Sequence, residues 1–209
     1  MSGPSLRALA GVAPCFAGGG PLAVERTALL LIDYQQAYRS GPLALPGEAA
    51  ASAVARRLRD WAGRIGLAVI HVHHRLPAGA PLFAEGTPAV EALAGLAPGA
   101  GETLIVKRQP SAFAGTGLAD RLRRDGVGQL LIAGYMTHNC VDSTAREAFH
   151  RGWPVGIVAD ACATRDLAAA DGRPLAAATV QAAVLAGLAD RIAEVVDYAG
   201  LASLSAATA

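Results

Sequence analysis

Five short, nearly continuous apolar runs, each closed by a polar or charged residue, limit what this chain can fold into. They are Ala28–Ile32 before Asp33, Leu67–Val72 before His73, Thr103–Val106 before Lys107, Leu130–Gly134 before a polar turn, and Pro154–Ala159 before Asp160. Strands with one wet face alternate apolar and polar residues, whereas strands covered on both faces read as unbroken Val/Ile/Leu runs. A sixth run, Arg191–Asp197, reads as a further strand or edge element. Amphipathic segments lie between the runs. In 48–65, Val54, Leu58, Trp61 and Ile65 form one stripe at spacings of four, three and four, with Arg56, Arg57, Arg59 and Asp60 opposite. Residues 117–125, 140–151 and 174–189 read as further helices. Strands recurring roughly every 30–40 residues with helices between them predict a three-layer α/β/α sandwich with a mainly parallel sheet.

Composition narrows the function. The 209 residues suit one domain, expected over 25–197, with a mobile N-terminal tail over 1–24 and a C-terminal tail over 198–209. Eighteen basic and seventeen acidic residues nearly cancel, which argues against nucleic acid or an anionic membrane surface as partner and favours a small-molecule substrate. Although 53% of the residues are hydrophobic, no apolar run reaches the ~18–20 residues of a membrane span. Three cysteines form no disulfide framework and Met1–Arg7 lacks a secretory pattern, so the expected location is cytoplasmic. No Gly-x-Gly-x-x-Gly or Walker loop follows the first strand, and no cofactor is expected.

In a parallel sheet the carboxyl ends of the strands share one edge, where ligands bind. Asp33, Lys107 and Cys140 all fall at such ends and are expected to meet. Cys140 lies where the strand 129–134 passes through a turn into a helix, and a thiol beside unpaired helix N–H groups is favoured as thiolate. The alternative is a small buried cysteine without chemistry. Cys15, inside the expected N-terminal tail, reads as an incidental thiol and Cys162 as a small residue of a turn, and Asp160 reads as a cap for the turn that follows it.

The motifs Leu-Ile-Asp33-Tyr-Gln, Lys107-Arg-Gln-Pro-Ser-Ala-Phe-Ala-Gly-Thr-Gly-Leu, Gly-Tyr-Met-Thr-His-Asn-Cys140-Val-Asp-Ser-Thr and Val158-Ala-Asp-Ala-Cys-Ala-Thr164, in this order, resemble the isochorismatase-like cysteine hydrolases. That family includes nicotinamidases and N-carbamoylsarcosine amidohydrolase, and the likeness covers roughly residues 25–197. It implies a six-stranded Rossmann-like sheet, an Asp33–Lys107–Cys140 triad, a cis peptide at Tyr135–Met136, an oxyanion hole of the Met136 and Cys140 amides, and a homo-oligomer. The expected activity is hydrolysis of an amide or ureido C–N bond through a thioester. Tyr34, Gln35, Phe113, Tyr135 and His138 are the expected substrate-binding residues. An isochorismatase-type vinyl-ether hydrolase is the alternative, and a non-catalytic small-molecule binder is a further one. His138 as the base of a Cys-His pair is a rival mechanism, disfavoured because only one residue separates it from Cys140.

His71, His73 and His74 invite a metal reading. The nicotinamidase branch carries an Asp-x-His motif nearby, where this chain has His71-Val-His73. Alternation along a strand puts His74 on the opposite face, so no metal is expected. Residues 75–102, rich in proline and glycine, read as a lid or a substrate-shaping wall.

Overall fold

The computed structural model describes residues 3–16 and 22–206. The apolar runs become β1 (Thr27–Ile32), β2 (Ala68–His74), β3 (Thr103–Lys107), β4 (Gln129–Gly134) and β5 (Val155–Val158). β6 (Leu167–Ala168) and β7 (Pro174–Leu175) form a small antiparallel hairpin, and β8 (Glu194–Val196) is the sixth strand of the main sheet. The order in that sheet is β3-β2-β1-β4-β5-β8, and every pairing in it is parallel.

The helices are α1 (Leu6–Leu9), α2 (Glu48–Ile65), α3 (Leu118–Arg124), α4 (Asp142–His150), α5 (Ala177–Arg191) and α6 (Tyr198–Ala206). Alternation along β1 divides the core in two. Leu29 and Leu31 pack with Val54, Leu58 and Trp61 of α2 and Leu201 of α6, while Ala28, Leu30 and Ile32 pack with Leu118, Leu122, Ala145, Ala148 and Leu188 of α3, α4 and α5. The predicted three-layer sandwich follows, because an unbroken apolar strand is stable only with helices over both faces. Each fully buried leucine contributes about 1.5–3 kcal/mol. α2 stops at Gly66, whose φ of +78° and capping amide suit a helix C-terminus.

Both segments expected as tails carry structure. Within 1–24, α1 forms and Phe16 is buried, because the Glu194 carboxylate accepts the amides of Cys15 and Phe16 and pairs with Arg7 at 3.2 Å. The Phe16 ring lies over Gly156, where a β-carbon would come within 2.7 Å of it. Gly18–Pro21 falls outside the described residues. At the other end, α6 buries Leu201, and the Tyr198 amide donates to Asp160 Oδ1 at 3.0 Å. Asp160 is thus a cap, although for α6 rather than for its own turn. The helix expected from 174 begins at Ala177, since Pro174–Leu175 belongs to the hairpin. Among the described residues no helix is long and apolar enough to cross a membrane.

Candidate active site

Asp33 follows β1 directly and has a φ of +55°, a left-handed conformation that aspartate tolerates better than most side chains. Its amide donates to Val72 O at 2.8 Å, and its carboxylate is closed to solvent. Lys107 ends β3, and its ammonium lies 2.8 Å from Asp33 Oδ2, 3.3 Å from Cys140 Sγ and 3.1 Å from His74 Nδ1. Cys140 sits inside a wide π-type turn, Thr137–Val141, that leads into α4, rather than on the first residue of an α-helix. The Met136 carbonyl accepts the amides of Asn139 and Val141, while the Thr137 amide donates to Ala163 O. The Tyr135–Met136 peptide is cis.

Gly134 sets the approach of this turn to Asp33. A β-carbon there would lie 2.1 Å from Ile32 O, so only glycine lets the end of β4 pass so close to β1. The three strand ends expected to meet therefore do meet, with the three side chains 2% exposed or less.

Burial pushes the Asp33 carboxyl above its ordinary range, against the downward pull of Lys107. Burial, and then the charge of Asp33, pushes the Cys140 thiol up to about 12, again opposed by Lys107. A raised carboxylate is the stronger base, and the Cys140 thiol lies within hydrogen-bonding reach of it. The arrangement thus suits a proton passing from sulfur to carboxylate beside a fixed positive charge, with the groups titrating as one unit.

All five residues expected to bind substrate have partners within the fold. The Tyr34 hydroxyl donates to Ala161 O and the Tyr135 hydroxyl to Glu48 O, and the two rings meet edge-on at 4.7 Å. The Gln35 amide holds the backbone of His74 and Val90. Phe113 stacks on Trp153 at 5.5 Å between α3 and α4. His138 is half-buried within the turn and bonds to Thr164 rather than to Cys140, with burial and then Arg165 lowering its pKa.

Sequence reasoning missed His74 and Tyr38. His74 does face away from His71 and His73, but that face is the one Lys107 occupies. Tyr38 is buried against Phe83 and Tyr135, at 5.6 and 5.5 Å, and stays protonated because burial, then Asp33 and Cys140, raises its pKa well above the usual range. Its signal was an aromatic residue five positions after Asp33, in the loop that leaves the strand end. The loop 75–102 packs onto the same corner, with the Gln36 amide bonded to Glu91 O and the Leu93 amide to Tyr34 O. A cavity of about 630 Å³ opens between residues 36–43 and 80–89, and Phe83 stands between it and His74.

Among the described residues His71 and His73 belong to no group of potential metal ligands. His71 is bonded to Glu102 at 2.9 Å, and the His71 and His73 rings lie 6.4 Å apart, at right angles within a degree. Asp33, His74 and Cys140 do bring ligand atoms within 4.8 Å of one another, but the Lys107 ammonium already stands within hydrogen-bond distance of all three. A dication there would share its cage with a fixed positive charge.

The isochorismatase domain profile matches residues 27–199. The chain is 34% identical over 171 residues to a secreted isochorismatase effector of Verticillium dahliae, covering 82% of this chain and 87% of that one. It is 32% identical to the maleamate amidohydrolase of Pseudomonas putida, over 68% of this chain and 74% of that one. Its fold matches the crystal structure of an isochorismatase from Pseudomonas putida KT2440 with a TM-score of 0.88 at 36% identity, covering 96% of this chain and all of the other. With a domain match across most of its length and relatives of this similarity, the chain belongs to the isochorismatase-like cysteine hydrolase family.

Proposed function

We propose that this hydrolase cleaves an amide or ureido C–N bond of a small molecule through a thioester on Cys140. One observation carries the reading: a single buried ammonium, that of Lys107, contacts both the Asp33 carboxylate and the Cys140 sulfur. Asp33 takes the thiol proton, and the sulfur attacks the carbonyl carbon. The oxyanion is received by the amides of Met136 and Cys140. Collapse breaks the C–N bond, and the proton on Asp33 leaves with the nitrogen as ammonia or amine. Water then gives a proton to Asp33 and its oxygen to the thioester carbon. The acid departs, the sulfur leaves as thiolate, and it recovers the proton. His138, half-buried two residues before Cys140 in the same turn, is the side chain placed to contact substrate. The amidohydrolase among the relatives supports an amide over a vinyl ether, as does a cysteine in the place where the proton is needed.

The test is a screen of small amides, ureas and ureido acids for ammonia release, with isochorismate as the non-amide arm. Ammonia release that is lost in Cys140→Ala is the expected result. Isochorismate turnover that survives Cys140→Ala would replace this reading with vinyl-ether hydrolysis.

A further inference from the structure

A lysine ammonium carries three N–H bonds and no acceptor. Lys107 is buried, and three acceptors surround its nitrogen: Asp33 Oδ2 at 2.8 Å, Cys140 Sγ at 3.3 Å and His74 Nδ1 at 3.1 Å. The count closes only if Nδ1 is unprotonated, which places the proton of the neutral ring on Nε2. Burial, and then the charge of Lys107, lowers the His74 pKa to about 4, so the ring is neutral at physiological pH.

The ring is held from two sides. Phe83 lies against it at 4.9 Å with 30° between the planes. Gln35 grips its backbone, with Oε1 accepting the His74 amide at 2.8 Å and Nε2 donating to the His74 carbonyl at 3.0 Å. The same Nε2 donates to Val90 O at 2.9 Å, so one buried amide ties the end of β2 to the loop 75–102. None of these contacts is required by the Asp33–Lys107 ion pair itself.

Resting on the reading of Asp33, Lys107 and Cys140 as the catalytic unit, we propose that His74 is its positioning residue. Its Nδ1 takes the third hydrogen of Lys107 and so aims the other two at the carboxylate and the sulfur. An ammonium on a flexible four-carbon stem has no orientation of its own. With only two acceptors, one N–H would be buried without a partner, and the ammonium would drift towards another oxygen. His74 is no base here, since its available lone pair is already engaged by Lys107. This separates it from a Cys-His mechanism.

The experiment compares His74→Asn, His74→Gln and His74→Phe. Asn places an acceptor where Nδ1 stands, Gln places one near Nε2, and Phe keeps the ring without either. Two readouts are taken: kcat and KM on an amide found by the screen, and the pH dependence of Cys140 alkylation by iodoacetamide, which needs no substrate. In the Phe variant kcat is expected to fall about tenfold or more with KM within about twofold, and the alkylation midpoint to move to higher pH as the thiolate loses an aimed N–H. Asn is expected to restore most of both, and Gln neither. A Phe variant with wild-type kcat and alkylation profile, or an Asn variant no better than Gln, would overturn the proposal. Should the Phe variant fail to fold by circular dichroism, the Asn and Gln pair decides. If Cys140→Ala retains turnover, the catalytic reading fails instead, while the alkylation profiles still report whether His74 governs the Lys107–Cys140 contact.

Discussion

Lys107 Nζ stands 2.8 Å from Asp33 Oδ2 although their strands are not neighbours, because β2 runs between β3 and β1. The lysine reaches over the end of β2, and His74, its register partner, lies beneath the ammonium. Both charges are wholly buried, so each depends on the other: a paired buried ion is tolerated, and an orphaned one is not. Asp33→Asn and Lys107→Met are each expected to lower stability by about 3–5 kcal/mol, while the double variant recovers much of the loss. Urea unfolding at neutral pH reads this directly, and losses that simply add would argue against a coupled pair.

The same coupling governs rate. Asp33→Asn and Lys107→Ala are each expected to lower kcat by about 100-fold or more, with the double variant hardly worse than either, because the groups act on one proton. Kinetics of the three proteins on one substrate decide the matter, and multiplicative losses would mean that the residues act separately.

Cys140 and Cys162 both have thiols pushed up to about 12, in each case chiefly by burial, so acidity alone does not distinguish them. Their neighbours do, since only Cys140 has the Asp33–Lys107 pair beside it. Loss of activity under iodoacetamide should therefore track modification of Cys140 by peptide mass spectrometry, and Cys162→Ala should remain active and labelled at Cys140. Inactivation that instead follows Cys162 would remove Cys140 as nucleophile.

Lys107 also decides the metal question. Dialysis against a strong chelator is expected to leave activity unchanged, whereas Lys107→Ala vacates the centre of a ready set of ligands, Asp33, His74 and Cys140. That variant should take up about one zinc or cobalt per chain, with a thiolate-to-cobalt absorption band as signature. Chelator-sensitive activity in the natural protein, restored by zinc, iron or manganese, would show that the site works through a metal.

The strands and the three residues at their ends were legible because buried parallel strands announce themselves as apolar runs, and a charge closing such a run has few places to go. The rest depends on partners far away in sequence. Phe16 is held by Glu194, and nothing near Phe16 hints at it. Alternation put His74 opposite His71, but only the β2–β3 register puts Lys107 on that side. The partners of Tyr34, Gln35 and Tyr135 were not legible, because a sequence shows polar atoms and not the backbone groups that engage them.

The cluster on the other face of β2 makes the last prediction. Burial alone would raise the Glu102 pKa, but Arg59 at 2.7 Å, the Gly99 amide and His71 at 2.9 Å together hold it at about 2, below the ordinary 4.5. These contacts tie α2, β2 and the end of the loop 75–102 together. A carboxylate with a depressed folded pKa stabilises the fold fully above its unfolded value and loses that contribution as the pH falls through the folded one. The stability gap between the natural protein and Glu102→Gln should therefore be constant down to pH about 4.5 and close towards pH about 2. Its size at neutral pH is expected to be about 1–2 kcal/mol, since Arg59 and Glu102 are 21% and 17% exposed and water screens part of the attraction. Urea midpoints of the two proteins at a series of pH values measure the gap, and one that stays constant down to pH 3 would show that Glu102 acts through shape rather than charge.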